Sequence, residues 1–133
     1  MLNADQILAA AERLKECRID DNSIDRRVAF GVRGVDGGTP YAWLVIEREG
    51  DHATKVETHF VDGNITADDH FKAHITVAAD AEEWLAIADS GHPRLLTACD
   101  RGAVVIGGNL PYFIRNVRSA MNVIVHCAQA LRG

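Results

Sequence analysis

Nothing in this sequence offers a covalent or metal-based scaffold. Its three cysteines, Cys17, Cys99 and Cys127, are odd in number and widely spaced, so they match neither a disulfide framework nor a zinc ligand set and are read as reduced and mostly buried. No apolar run approaches the roughly 20 residues that a membrane-spanning helix needs, which argues against integral membrane association. Basic residues are outnumbered, 14 Lys and Arg against 19 Asp and Glu, for a formal charge of -5, and no basic stripe is interleaved with aromatics. A nucleic-acid partner is thereby disfavoured, because its phosphates demand clustered cations. The acidic balance also argues against strong docking on anionic membranes. The opening residues Met1-Leu2-Asn3-Ala4-Asp5 carry neither the basic stretch nor the apolar segment of a secretory signal, and Leu131-Arg132-Gly133 is no peroxisomal address, so a cytoplasmic location is expected.

Catalytic signatures are missing as well. Without a G-x-S-x-G elbow, Asp89-Ser90-Gly91-His92 reads as a helix stop and not as part of a hydrolase. There is no G-x-x-x-x-G-K-[ST] and no G-x-G-x-x-G, so Gly107-Gly108-Asn109 reads as a structural turn; a carboxylate or CoA phosphate at the following helix start is the functional alternative. His70 and His74, beside Asp68 and Asp69, would share a face on a helix, but this stretch reads as loop into strand, where residues four apart are distant. Solvated strand residues are favoured there over a metal site. The chain is read as a non-enzyme with no cofactor and no metal.

What the sequence does contain is the material of one globular domain. Apolar residues make up 47% and charged residues 25% of 133, close to the average for soluble proteins. A single domain over 1–133 would bury about two-thirds of the surface its unfolded chain exposes.

The spacing predicts a helix from about Ala4 to Cys17, where Asn3-Ala4-Asp5-Gln6 resembles a capping box and Ile7, Ala11 and Leu14 recur at helical spacing. After a polar connection, Ile19 to Arg27, the period changes to two. Val28, Phe30 and Val32 mark a half-buried strand, and Asp36-Gly37-Gly38 a hairpin turn. The next strand, Tyr41 to Arg48, is apolar on both faces and is expected inside a sheet. Beyond Glu49-Gly50-Asp51, Val56, Thr58 and Phe60 alternate with Lys55, Glu57 and His59; beyond a polar loop, Asp62 to Asp69, Phe71, Ala73, Ile75 and Val77 alternate with polar residues. Asp80-Ala81-Glu82-Glu83 has capping-box spacing and opens a short helix with Trp84, Leu85, Ile87 and Ala88, stopped by Ser90-Gly91-His92-Pro93. A second short helix, Arg94 to Asp100, ends at Gly102, and Ala103 to Ile106 form a short strand. Asn109 caps and Pro111 sits in the first turn of one long helix, Leu110 to Leu131, whose apolar face is Leu110, Phe113, Ile114, Val117, Met121, Ile124, Ala128 and Leu131. Val123, Val125 and Ala130 lie off that face and suggest a second contact, such as a homodimer partner or a lid. Arg115 and Arg118, one turn apart on the polar side, read as a solvated face, with contact to a ligand headgroup as the alternative. Cys127, at the edge of the stripe, reads as a buried thiol and not a nucleophile.

This order of elements, and above all the stretch from Ala73 to Leu110, resembles the sterol carrier protein type-2 (lipid-transfer) family. Gly102-Ala103-Val104-Val105-Ile106-Gly107-Gly108-Asn109 aligns without a gap on that family's pattern of glycine, lysine, apolar, polar, apolar, acidic, glycine, aspartate. Gly102, Val104, Ile106 and Gly108 fit and Asn109 is a conservative replacement, whereas Ala103 and Gly107 depart at positions expected to face solvent. The resemblance implies an α+β fold, a mostly antiparallel five-stranded sheet with helices packed on one face, and an apolar tunnel for fatty acyl chains, acyl-CoA or sterols. It implies a binding zone and no catalytic residue.

The candidate ligand-binding residues are therefore Phe113, Ile114, Val117, Met121 and Ile124 on the final helix, with Trp84, Leu85 and Leu96 near the rim of a cavity between that helix and the sheet. Such a site needs no sharply placed polar group. Each buried methylene of a ligand is worth roughly 0.8 kcal/mol, so about ten of them give a gross gain near 8 kcal/mol before ordering costs. The expected function is binding and carriage of a hydrophobic small molecule. An accessory or catalytic role on an apolar metabolite, with Asp89 as a local acid, is the alternative, and a structural dimerisation module is a third reading.

Overall fold

The structure, a computed structural model, describes residues 3–16, 27–34, 41–49, 52–61 and 73–133. The first helix, α1 (Ala4–Glu16), starts on the expected capping box: Gln6 N-H donates to Asn3 Oδ1 and Asn3 N-H to Gln6 Oε1, each at 2.9 Å. Two otherwise orphaned amides are thereby satisfied. Three strands follow, β1 (Val28–Arg33), β2 (Tyr41–Glu49) and β3 (His52–Val61), and then β4 (Ile75–Asp80), α2 (Ala81–Ser90), α3 (His92–Asp100), β5 (Val105–Gly108), α4 (Leu110–Arg115) and α5 (Val117–Arg132). Cys17, the turn at Asp36-Gly37-Gly38, Gly50, Asp51, the loop 62–69, His70 and Phe71 lie outside the described residues.

The strands make one sheet in the order β3-β2-β1-β4-β5. Three of the four pairings are antiparallel, as expected; β1 and β4 run parallel, with Val28 opposite Ile75 and Val32 opposite Ala79, so the sheet is mixed. The parallel pair follows from topology. After β3 fills one side of the sheet, β4 takes the free side of β1, which only a crossover connection can reach in that direction.

Period-two alternation sorts the strand residues between two faces. Val28, Phe30, Val32, Leu44, Ile46, Ile75, Val77 and Ala79 join the main core beneath α1, α2, α3 and α5, which all gather on that side. On the opposite face Ala29, Trp43, Val45 and Ala73 form a small second cluster. There Gly31 pairs with Trp43 and lies under its ring, which a Cβ would meet at 2.6 Å, so any larger residue would have to displace the indole.

Asp80 occupies the cap position of α2, but the predicted capping box does not form there, because its side chain makes no cap hydrogen bond. It faces its register partner Arg33 instead, with Nε 3.1 Å from Oδ1. The second helix packs its Trp84 against Phe30, with ring centroids 4.3 Å apart, and the indole Nε1 donates to Gly31 O at 2.8 Å. Burying the indole therefore leaves no polar atom unsatisfied. Glu83 ties α2 to α3, accepting from Arg94 at 3.0 and 3.2 Å and from Arg101 at 3.1 Å.

Candidate functional site

The predicted long helix is two helices. Its approach is fixed by backbone geometry: Gly108 has φ 88°, and a Cβ there would lie 2.5 Å from the His74 carbonyl oxygen. Asn109 N-H then donates to that same oxygen at 2.7 Å. This is the physical reason for the second matching glycine in the resemblance, and Gly102, at φ 76°, supplies the first. Asn109 caps as expected, Oδ1 accepting from Tyr112 N at 3.0 Å, and Pro111 stands in the first turn of α4.

The break comes at Asn116, whose backbone leaves the helical region at φ -121° and ψ 30°. Its side-chain Nδ2 donates to Tyr112 O at 2.9 Å, the carbonyl four residues back, which its own N-H also reaches at 3.2 Å. Asparagine competes in this way for helical carbonyls, which is why it is a poor helix-interior residue. The chain resumes with Ala120 N-H donating to Asn116 O at 2.9 Å.

Exposure changes across this break. Along the predicted stripe Ile114 is 69% exposed and Val117 43%, against 9% for Met121 and 1% for Ile124. Leu110 is exposed as well, and Phe113 and Tyr112 are half-buried against the main core. Of the eight predicted site residues, Trp84, Met121 and Ile124 lie in that core and Leu85 and Phe113 pack against it. Ile114, Val117 and Leu96 stand exposed outside it. Trp84 lies in the interior between α2 and β1, fully buried. Tyr112, absent from the predicted set, has its ring centroid 6.1 Å from that of His74. Asparagine alone was no sufficient signal for the break at Asn116, since Asn122 stands inside α5 without interrupting it.

Val123, Val125 and Ala130, which suggested a second contact, have one within the chain. The fifth helix packs against α1, α2 and α3, and all three residues are buried. Its end is also pinned by side chains. Arg13 Nε donates to Ala130 O at 2.8 Å, and Arg132 forms a two-pronged pair with Asp89 at 3.0 and 2.6 Å. Cys127 is fully buried there, and burial pushes the half-buried Cys99 thiol up from its ordinary value, which reduces its thiolate at neutral pH. His74 is exposed, and among the described residues no three His, Cys, Asp or Glu side chains come together to hold a metal ion. No helix among the described residues is long and apolar enough to cross a membrane.

Comparison with solved structures decides the architecture. Sterol carrier protein 2 superposes with a TM-score of 0.64 at 16% identity, covering 96% of this chain and 94% of that one. This chain has the sterol carrier protein 2 fold. A conserved hypothetical protein from Thermus thermophilus superposes at 0.62 with 17% identity over 98% of this chain and 89% of its own. The sterol carrier protein-2 like-3 of Aedes aegypti follows at 0.54 with 19% identity, over 92% and 99%. No protein-family model matches the chain, and no curated protein matches it by sequence.

Proposed function

We propose that residues 1–133 act as one lipid-binding domain, which binds and carries a hydrophobic small molecule of fatty acyl, acyl-CoA or sterol-like chemistry. Its apolar cavity has Phe113, Val117, Met121 and Ile124 on one wall. The observation that supports this most is the gradient along the terminal stripe: Ile114, Val117, Met121 and Ile124, spaced three, four and three apart, lead from solvent into the core. An alkyl chain threading inward along that line would exchange water for apolar contact at every turn. The sterol carrier protein 2 fold adds weight, since its solved examples include proteins named as sterol carriers. The alternative of a local acid finds Asp89 held by Arg132 in an exposed ion pair, and no observation favours it.

Native mass spectrometry of freshly purified protein is expected to retain an acyl chain or steroid, and a fluorescent fatty acid should bind and be displaced by unlabelled lipid. Val117→Trp should weaken that binding with the fold retained. Chelators should leave it unchanged. A protein that emerges ligand-free and binds no fluorescent fatty acid would end the carrier reading.

A further inference from the structure

Charge is segregated along this chain. All 19 acidic residues precede residue 101, whereas residues 101–133 carry four arginines and no Asp or Glu. Two of the four, Arg101 and Arg132, are paired with Glu83 and Asp89. Arg115 and Arg118 are exposed and, among the described residues, have no carboxylate or carbonyl partner. Arg13, Arg27, Arg33 and Arg94 all have one.

Each of these two arginines is the chain neighbour of an exposed apolar residue. Arg115 follows Ile114 and Arg118 follows Val117, with Leu110 one turn earlier on α4. We infer that α4 and the first turn of α5 form a docking surface for an anionic lipid bilayer, with Leu110, Ile114 and Val117 entering the headgroup boundary and Arg115 and Arg118 at the level of the phosphates. The chemistry requires both halves. Arginine stems lie along apolar surface while their heads stay with the anionic groups, and interfacial helices combine these two contributions. A nucleic acid would offer Ile114 nothing, and a soluble anion would leave three apolar side chains wet.

The net acidity of the whole chain does not oppose this contact. A bilayer senses charges within about a Debye length, roughly 8 Å at physiological salt, so the local excess of arginine decides. The inference stands apart from carriage, because docking is measured without any internal ligand.

The test is co-sedimentation of the full chain with vesicles of phosphatidylcholine alone and of phosphatidylcholine containing about one-third phosphatidylserine. Binding is expected to the anionic vesicles, declining as salt is raised. The double variant Arg115→Glu/Arg118→Glu should lower partitioning by at least about tenfold, and Ile114→Asp by a similar factor, with melting temperatures near that of the parent because all three side chains are exposed. Lys55→Glu, an exposed charge change on β3, should leave partitioning unchanged. The proposal is overturned if neutral and anionic vesicles bind alike, or if the variants partition like the parent. It is equally overturned if sedimentation equilibrium shows a dimer that Ile114→Asp disperses, for the face is then a contact between two copies.

Discussion

The two parts of the carboxy-terminal helical segment share one apolar stripe and are held in place by different physics. The later part, from Met121 to Leu131 on α5, is positioned by side chains: it is buried against α1, α2 and α3 and pinned at its end by Arg13 and by the Arg132–Asp89 pair. The earlier part, α4 and the first turn of α5, is positioned by its anchors and caps, with Tyr112 and Phe113 only half-buried against the core. Gly108 and Asn109 fasten it to His74, Asn109 caps it, and Asn116 ends it, while Leu110, Ile114 and Val117 stay exposed. An apolar residue on one helical stripe therefore means core in one place and exposed surface two turns earlier.

Truncation at matched residues gives the widest separation between the two regions. Leu131→Ala removes a buried side chain outside the proposed cavity wall and should cost about 2 to 5 kcal/mol in denaturant unfolding, whereas Ile114→Ala should stay within about 0.5 kcal/mol. Equal costs would mean that α4 is packed in solution. Next in size is Gly108→Ala, which must adopt a positive φ and place a Cβ against the His74 carbonyl; about 1 to 3 kcal/mol is expected. Gly102→Ala, with open space around its Cβ, meets the same φ penalty without the clash and should cost less. Arg13→Ala should cost about 1 kcal/mol, because it removes a charged donor from the Ala130 carbonyl near the carboxyl end of α5, where a cation also suits the helix dipole.

Most of the architecture was legible in the sequence because it rests on periodicity. Alternation in Val28–Val32 and Ile75–Val77 placed those residues on the helix side of the sheet, and the Asn3 to Gln6 spacing gave a capping box that forms. Asp80 has similar spacing and makes no cap, because its parallel register brings Arg33 to it, a partner that lies 47 positions away and invisible to local pattern. The parallel β1–β4 pairing was hidden for the same reason: strand patterns carry no direction. In the candidate site, helical spacing placed Ile114, Val117, Met121 and Ile124 on one stripe but could not tell the two that are buried from the two that are exposed, since the stripe continues through both regions. Only the packing of α1, α2 and α3 around one part makes the difference.

Asn116 is the place where the two regimes meet, and its replacement has the smallest expected effect on stability. Asn116→Ala gives up the Nδ2 bond to Tyr112 O, a net loss of about 0.5 to 1.5 kcal/mol, and gains roughly 0.5 kcal/mol or more of helix propensity. The two nearly cancel, so the melting temperature should barely move. The geometry should move instead. With no side chain competing for the Tyr112 carbonyl, alanine can take the helical conformation and join α4 to α5, extending the intrahelical ladder through residues 115–118. Hydrogen exchange resolves this, because amides in that stretch should exchange more slowly in the variant while those of Ile124 to Ala128, already buried, stay as they are. Unchanged protection at 115–118 would show that the break is imposed by the Gly108–His74 anchor at one end and the buried α5 at the other, with Asn116 merely suited to the bend.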